Sequence, residues 1–236
     1  MWGGKGANQA VAAARAGAKV AMIGRVGEDP SGARYLGRLE AFGIDATGIR
    51  RDPDTVTGHA AIAVAADGEN TIIVSPGANG RVAVDDLGDL AGIGPGDVLL
   101  AQLELDLGVV AEAVRRASAA GARVVLNAAP YADLPAEVLA LADPVVVNEH
   151  EAEQLAAAGL TAPSLLVTRG GEGAEWGDIR VPADKVERVV DTTGAGDAFC
   201  GALAAALADG ADREAALKAA ATAGAEAVAW PGAQPA

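Results

Sequence analysis

Cysteine and histidine are nearly absent: the 236 residues include one cysteine, Cys200, and two histidines, His59 and His150. A single thiol can form no disulfide within the chain and no thiolate metal cluster. Neither histidine stands at metal-ligand spacing from another His or Cys, which sets aside a zinc site. Cys200 reads as a small buried core residue, and His150 as a solvated loop residue. Aromatic residues make up 3% of the chain, and the formal net charge is -14. No basic stripe with interleaved aromatics occurs, so nucleic acid is an unsuitable partner. The pairs Arg50-Arg51 and Arg115-Arg116 read as ordinary solvated positions. No stretch approaches the ~18 apolar residues of a membrane helix. The opening MWGGKGANQA lacks the basic region and apolar run of a secretory signal. A cytoplasmic protein without membrane contact is the expectation. The chain also has no GxxxxGK[ST], no GxGxxG after its first strand and no GxSxG, which argues against a P-loop enzyme, a dinucleotide fold and a serine hydrolase.

What the chain does have is apolar content, 51%, much of it alanine. That content, without polar low-complexity tracts, indicates a packed globule rather than a disordered chain. The length suits one α/β domain, spanning residues 1–236. Short β-rich runs alternate with Ala-rich helical runs. Strands are expected at 20–24 (VAMIG), 98–103 (VLLAQL), 123–127 (RVVLN), 145–148 (VVVN) and 165–168 (LLVT). Runs apolar on both faces suit a mostly parallel sheet covered by helices. Helices are expected at 7–16, 32–42, 107–120, 149–158, 198–208 and 213–228. The pattern predicts an α/β fold wound on both faces of its sheet. One region differs. HAAIAV, the turn DGEN at 67–70, and TIIVSPG read as an antiparallel hairpin. It is either a small flap, about 55–76, or an antiparallel edge of the main sheet.

Four strand ends carry polar residues: Glu104, Asn127, Asn148 and Thr168. Any one of them could be a cap or turn residue. Together they point to one site at the carboxyl ends of parallel strands. DTTGAGDAF, residues 191–199, is the most specific stretch. Gly194 and Gly196 leave the amides of a turn unobstructed, and the helix that follows adds a partial positive charge, so an anion should bind there. Asp197 inside that turn either is a common first-turn acid or takes a proton from a hydroxyl that attacks a bound phosphoryl group.

The motifs resemble those of the PfkB-type carbohydrate kinases, and within them the ribokinase branch. GGKGANQAVAAARAG (3–17) and DTTGAGDAFCGAL (191–203) are similar to the family's two signatures. Gln102 to Glu104 (QLE), NEHE (148–151) and TRGGEG (168–173) follow in the family's order, and GENTIIVSPGAN (68–79) with the final GAQP is similar to the ribokinase branch. The resemblance implies a ribokinase-like three-layer wound sheet with a small β lid and transfer of the ATP γ-phosphoryl to a sugar hydroxyl, in that branch the 5-hydroxyl of D-ribose. By the same resemblance Asp197 is the general base, and Gly194, Ala195 and Gly196 supply stabilising amides. Gly3, Gly4, Lys5, Asn8 and Glu104 bind the sugar. Asn148, Thr168, Gly170, Gly173 and Gly196 belong to the ATP site. Glu151 organises Mg²⁺ through water. K⁺ is expected as an activator at Asp191, Thr193, Ala227, Trp230 and Gly232. The resemblance further implies a homodimer through the lid and a longer chain, with an earlier sugar-binding strand, a further interior helix and a final helix. A kinase for another sugar or a nucleoside, or a truncated relic that binds without turnover, are the alternatives.

Overall fold

The computed structural model describes residues 2–64 and 70–235. The chain opens with α1 (Lys5–Arg15), which buries Ala7, Ala10, Val11 and Ala13 along one stripe. β1 (Gly24–Gly27) follows, then α2 (Pro30–Ala41) and β2 (Ile49–Asp52), which pairs in parallel with β1. α2 starts cleanly because Pro30 opens it and the Asp29 carboxylate accepts the Gly32 N–H at 2.7 Å. Asp29 also accepts from the Thr57 N–H and hydroxyl. These bonds, the Thr57 amide first, hold its pKa down at about 2.

The strand expected at 20–24 is displaced. Only Ala21 makes a bridge, to Asp45, and the ladder proper starts at Gly24. Val20 and Met22 pack into the cluster around Val11, Leu36 and Leu39, while Ile23 turns to a second cluster with Val82 and Leu87. The run pairs only briefly, Met22 N–H donating to the Asp45 carbonyl at 2.9 Å and Asp45 N–H to the Val20 carbonyl at 2.8 Å, before the ladder resumes at Gly24. The β1–β2 pair is moreover a sheet of its own, outside the central one.

β3 (His59–Val64) and β4 (Asn70–Ser75) form the expected antiparallel hairpin, in register from His59 opposite Ser75 to Val64 opposite Asn70. It stands as a separate two-stranded sheet, which decides against an edge of the main sheet. The turn expected from DGEN lies, but for Asn70, outside the described residues.

The remaining chain builds the centre: β5 (Val98–Gln102), α3 (Leu107–Ala119), β6 (Arg123–Asn127), α4 (Ala136–Leu139), β7 (Val145–Asn148), α5 (Glu149–Ala157), β8 (Leu165–Thr168), β9 (Ala174–Trp176), β10 (Ile179–Val181), α6 (Ala195–Ala208) and α7 (Arg213–Ala227). The six strands lie in the order β10-β9-β8-β7-β6-β5. β5 to β8 run parallel, and β9 and β10 are antiparallel. Alternate residues serve opposite faces. Val124 and Leu126 pack with Val114 of α3 and Leu155 of α5, whereas Val125, Val146 and Leu166 pack with Leu203 of α6 and Leu217 of α7. Helices thus cover both faces, as the continuous apolar strands require. α6 begins three residues before the expected position, so Asp197 sits inside its first turn. Among the described residues no helix is long and apolar enough to cross a membrane.

Candidate active site

α1 crosses directly over α6, and Gly201 permits it. A Cβ at Gly201 would stand 2.4 Å from the Gln9 carbonyl oxygen and 2.6 Å from the Ala12 Cβ. The crossing brings the first turns of α1 against Asp197, which is 6% exposed. Asn8 Nδ2 donates to Asp197 Oδ2 at 2.8 Å, and Gln9 Nε2 donates to Oδ1 at 3.0 Å. The Lys5 ammonium lies 3.9 Å from Oδ1. Asn8 in turn accepts from Gln234 Nε2 at 2.9 Å, so its amide serves Asp197 and the C-terminal GAQP segment. The Lys5 backbone N–H, at the start of α1, donates to Glu104 Oε2 at 2.8 Å. Tyr35 on α2 donates its hydroxyl to the Gly3 carbonyl and fixes the turn before the helix.

Next to Asp197 a cavity of about 80 Å³ opens at the carboxyl ends of β6, β7 and β8. Lys5, Asn127, Asn148, Glu151, Thr168 and Gly196 line it, with Cys200 at its inner wall. Three of the four polar strand ends therefore converge on one space. Glu104, the fourth, reaches the site through Lys5. A larger hollow between α2 and β2, lined by Glu40, Asp45 and Arg51, lies apart from these groups. Cys200 is 1% exposed, and burial pushes its thiol far above the ordinary value, so it is no nucleophile.

Asn148 and Glu151 form a reciprocal cap on α5. Glu151 N–H donates to Asn148 Oδ1 at 2.8 Å, and Asn148 N–H donates to Glu151 Oε2 at 2.9 Å. This box leaves the second carboxylate oxygen of Glu151 available, in a half-buried side chain on the cavity wall.

The turn before α6 is held by Gly194, which caps the helix at φ +83°; a Cβ there would lie 2.5 Å from Ala233 Cα. Glycine is required on both counts. The Ala195 N–H, expected to face an anion, points instead at the Thr192 carbonyl at 3.2 Å. By helix geometry none of the amides of Gly194, Ala195, Gly196 and Asp197 has an intrahelical partner, and with Ala195 turned to Thr192, those of Gly194, Gly196 and Asp197 are left for an anion. Asp191 ties this turn to the C-terminal loop: Oδ1 accepts the Thr193 N–H at 2.9 Å and Oδ2 the Gly232 N–H at 2.8 Å. Those bonds, with the Thr193 side chain foremost, hold the Asp191 carboxyl below the usual range. Thr193 and Gly232 thus come together. Ala227 is buried at the end of α7, and Trp230 carries Arg15 over its ring at 5.0 Å. Gly170 and Gly173 stand in the turn after β8, and Gly3 and Gly4 in the exposed turn before α1; none of the four lines the cavity. His150 is exposed in the first turn of α5, and not in a loop. Arg50 is no idle surface charge either: it pairs at 2.8 Å with the buried Asp86.

The sequence placed Asn127 at the site by its strand end but gave it no role there, and it gave no role to Gln9 or Gln102, although both stand inside motifs of the family resemblance.

The family model described as "pfkB family carbohydrate kinase" matches residues 2–236. The chain is 40% identical over 228 residues to the ribokinase of Bacillus subtilis, covering 92% of this chain and 77% of that one. It is 37% identical over 238 residues to a deoxyribokinase of Salmonella typhi, covering 92% and 78%. The solved Arabidopsis thaliana ribokinase, complexed with ribose and ATP, superposes with a TM-score of 0.87 at 30% identity, covering 98% of this chain and 82% of that one. The chain belongs to the pfkB family of carbohydrate kinases, phosphotransferases whose acceptor is an alcohol group.

Proposed function

We propose that this chain transfers the γ-phosphoryl group of ATP to the 5-hydroxyl of D-ribose, with Asp197 as general base. The observation that carries this reading is the setting of Asp197. A carboxylate buried to 6% exposure sits in the first turn of α6, beside amides without intrahelical partners and a polar cavity. A hydroxyl lying on Asp197 gives its proton to the carboxylate as its oxygen forms the new bond to phosphorus and the bond to the ADP oxygen breaks. The amides of Gly196 and Asp197 face the charge that gathers on the transferring group. Lys5, its ammonium 3.9 Å from Asp197 Oδ1, attracts phosphate oxygens. Asn8, Glu104 and the Gly3-Gly4 turn are read as the sugar side. Asn148, Thr168 and Gly196, with Gly170 and Gly173 beyond β8, are read as the nucleotide side.

The donors at the cavity fit Mg²⁺. Glu151 offers one carboxylate oxygen, and an ion that keeps most of its waters is suited to such an outer contact. Bound with ATP, Mg²⁺ would neutralise phosphate charge. For K⁺, the carboxylate oxygens of Asp191 are already taken by backbone N–H groups, so the turn at 191–194 and the loop at 227–232 would offer carbonyls. We read the β3–β4 hairpin as a lid that a second copy covers in a homodimer, and the protein as cytoplasmic.

Asp197→Asn removes the base while keeping the side chain's shape. Its kcat is expected to fall by ~100-fold or more. A rate within a few-fold of wild type, measured as ADP release with MgATP and D-ribose, removes Asp197 from that role.

A further inference from the structure

We infer that Gln9 is a positioning residue for Asp197, the buried donor that fixes which carboxylate oxygen faces the substrate. The inference rests on Asp197 being the general base.

Gln9 is fully buried, at 0% exposure, in the second turn of α1. A buried amide is costly unless its hydrogen bonds are made, and here each polar atom has a partner. Its Oε1 accepts from Gln102 Nε2, at the end of β5, at 2.6 Å. Its Nε2 donates to Asp197 Oδ1 and to Asn127 Oδ1, both at 3.0 Å. Asn127 Nδ2 donates onward to the Val146 carbonyl at 3.3 Å. The polarity of the chain is forced. A reversed Gln9 amide would set its carbonyl against two acceptors, the carboxylate and the Asn127 oxygen, and its NH₂ against the Gln102 donor.

The other oxygen of Asp197 is held differently. A second chain runs from Arg38 Nε to Gln234 Oε1 at 2.9 Å, from Gln234 to Asn8 at 2.9 Å, and from Asn8 to Asp197 Oδ2 at 2.8 Å. That arm passes through the C-terminal loop and the first turn of α1. The Gln9 arm is anchored on two central strands and the α1–α6 crossing. When a hydroxyl takes the place of the Asn8 amide on Oδ2, Gln9 keeps Oδ1 in position. Oδ2 then receives the proton with no rotation of the carboxylate, the kind of orientation on which catalytic geometry depends.

Gln9→Met, similar in length but without a donor, is to be measured in a four-variant cycle with wild type, Asp197→Asn and the double variant. The readout is steady-state ADP release with MgATP and the sugar that wild type turns over. The single variant is expected to lose ~10- to 100-fold in kcat, with the KM for ATP within about twofold of wild type. On the Asp197→Asn background the same change is expected to cost less than about threefold, because its effect passes through the carboxylate. Equal losses on both backgrounds, or an unchanged kcat, overturn the inference and leave the base assignment standing. Asp197→Asn within a few-fold of wild type overturns the base assignment, and the inference with it. If Gln9→Met gives no folded protein by circular dichroism, Gln9→Glu takes its place. That variant retains the Gln102 contact and sets an oxygen against Asp197. It is expected to lose at least as much kcat, and a wild-type kcat overturns the inference.

Discussion

A glycine in a helix interior costs about 1 kcal/mol against alanine, yet Gly201 stands mid-way along α6. On propensity alone, Gly201→Ala would stabilise. The new Cβ would instead meet the Gln9 carbonyl at 2.4 Å and Ala12 at 2.6 Å. Such overpacking costs about 1–3 kcal/mol, so the clash outweighs the propensity gain. Gly201→Ala is therefore expected to lower Tm and also kcat, since a displaced α1 carries Asn8 and Gln9 away from Asp197. A higher Tm in thermal denaturation would show the crossing to be looser than described. Asp197 and Gly194 were legible in sequence because an acid among glycines at a helix start is locally odd. Gln9 was not. Inside ANQAVAAARAG it looks like helix filler, and its three partners lie on β5, β6 and α6, far away in the chain. Long-range amide pairing leaves no local pattern.

At the scale of elements, the central strands were readable because a buried parallel strand must be apolar on both faces. β5 to β8 fall where four such runs predicted them. The strand at 20–24 was legible only in part: Val20 and Met22 pair with Asp45, but the regular ladder starts at Gly24, and the apolar side chains of the run pack against α1 and α2. The β9–β10 hairpin was missed, although Trp176 and Ile179 flank a two-residue Gly177-Asp178 turn with Gly177 at φ +63°. The β3–β4 hairpin was readable from its alternation. Ile73 and Val74, adjacent and pointing to opposite faces, are 67% and 68% exposed. A lone two-stranded sheet is marginal in water, and an exposed apolar ribbon calls for cover. A second copy of the chain is the proposed cover. Light scattering at micromolar concentration is expected to give twice the chain mass, and a single-chain mass would count against the dimer.

For the whole molecule, the topology explains why residues so far apart in sequence meet. Parallel strands end on one side of the sheet, which places Asn127, Asn148 and Thr168 around one cavity. α6, on the opposite face of the sheet from α3 and α5, points its N-terminus at that same end. α1 closes the site by crossing α6. Carbohydrate kinase chemistry follows from the family. The choice of sugar rests on finer features, and the ribokinase and the deoxyribokinase to which the chain is similar differ by only three points of identity, 40% against 37%. The most direct measurement is ADP release by the purified chain with MgATP, with and without D-ribose, in K⁺ and in Na⁺. Turnover that requires ribose and is faster in K⁺ is the predicted result. Ribose-independent ADP release, or turnover of another sugar or a nucleoside but not of ribose, would contradict it.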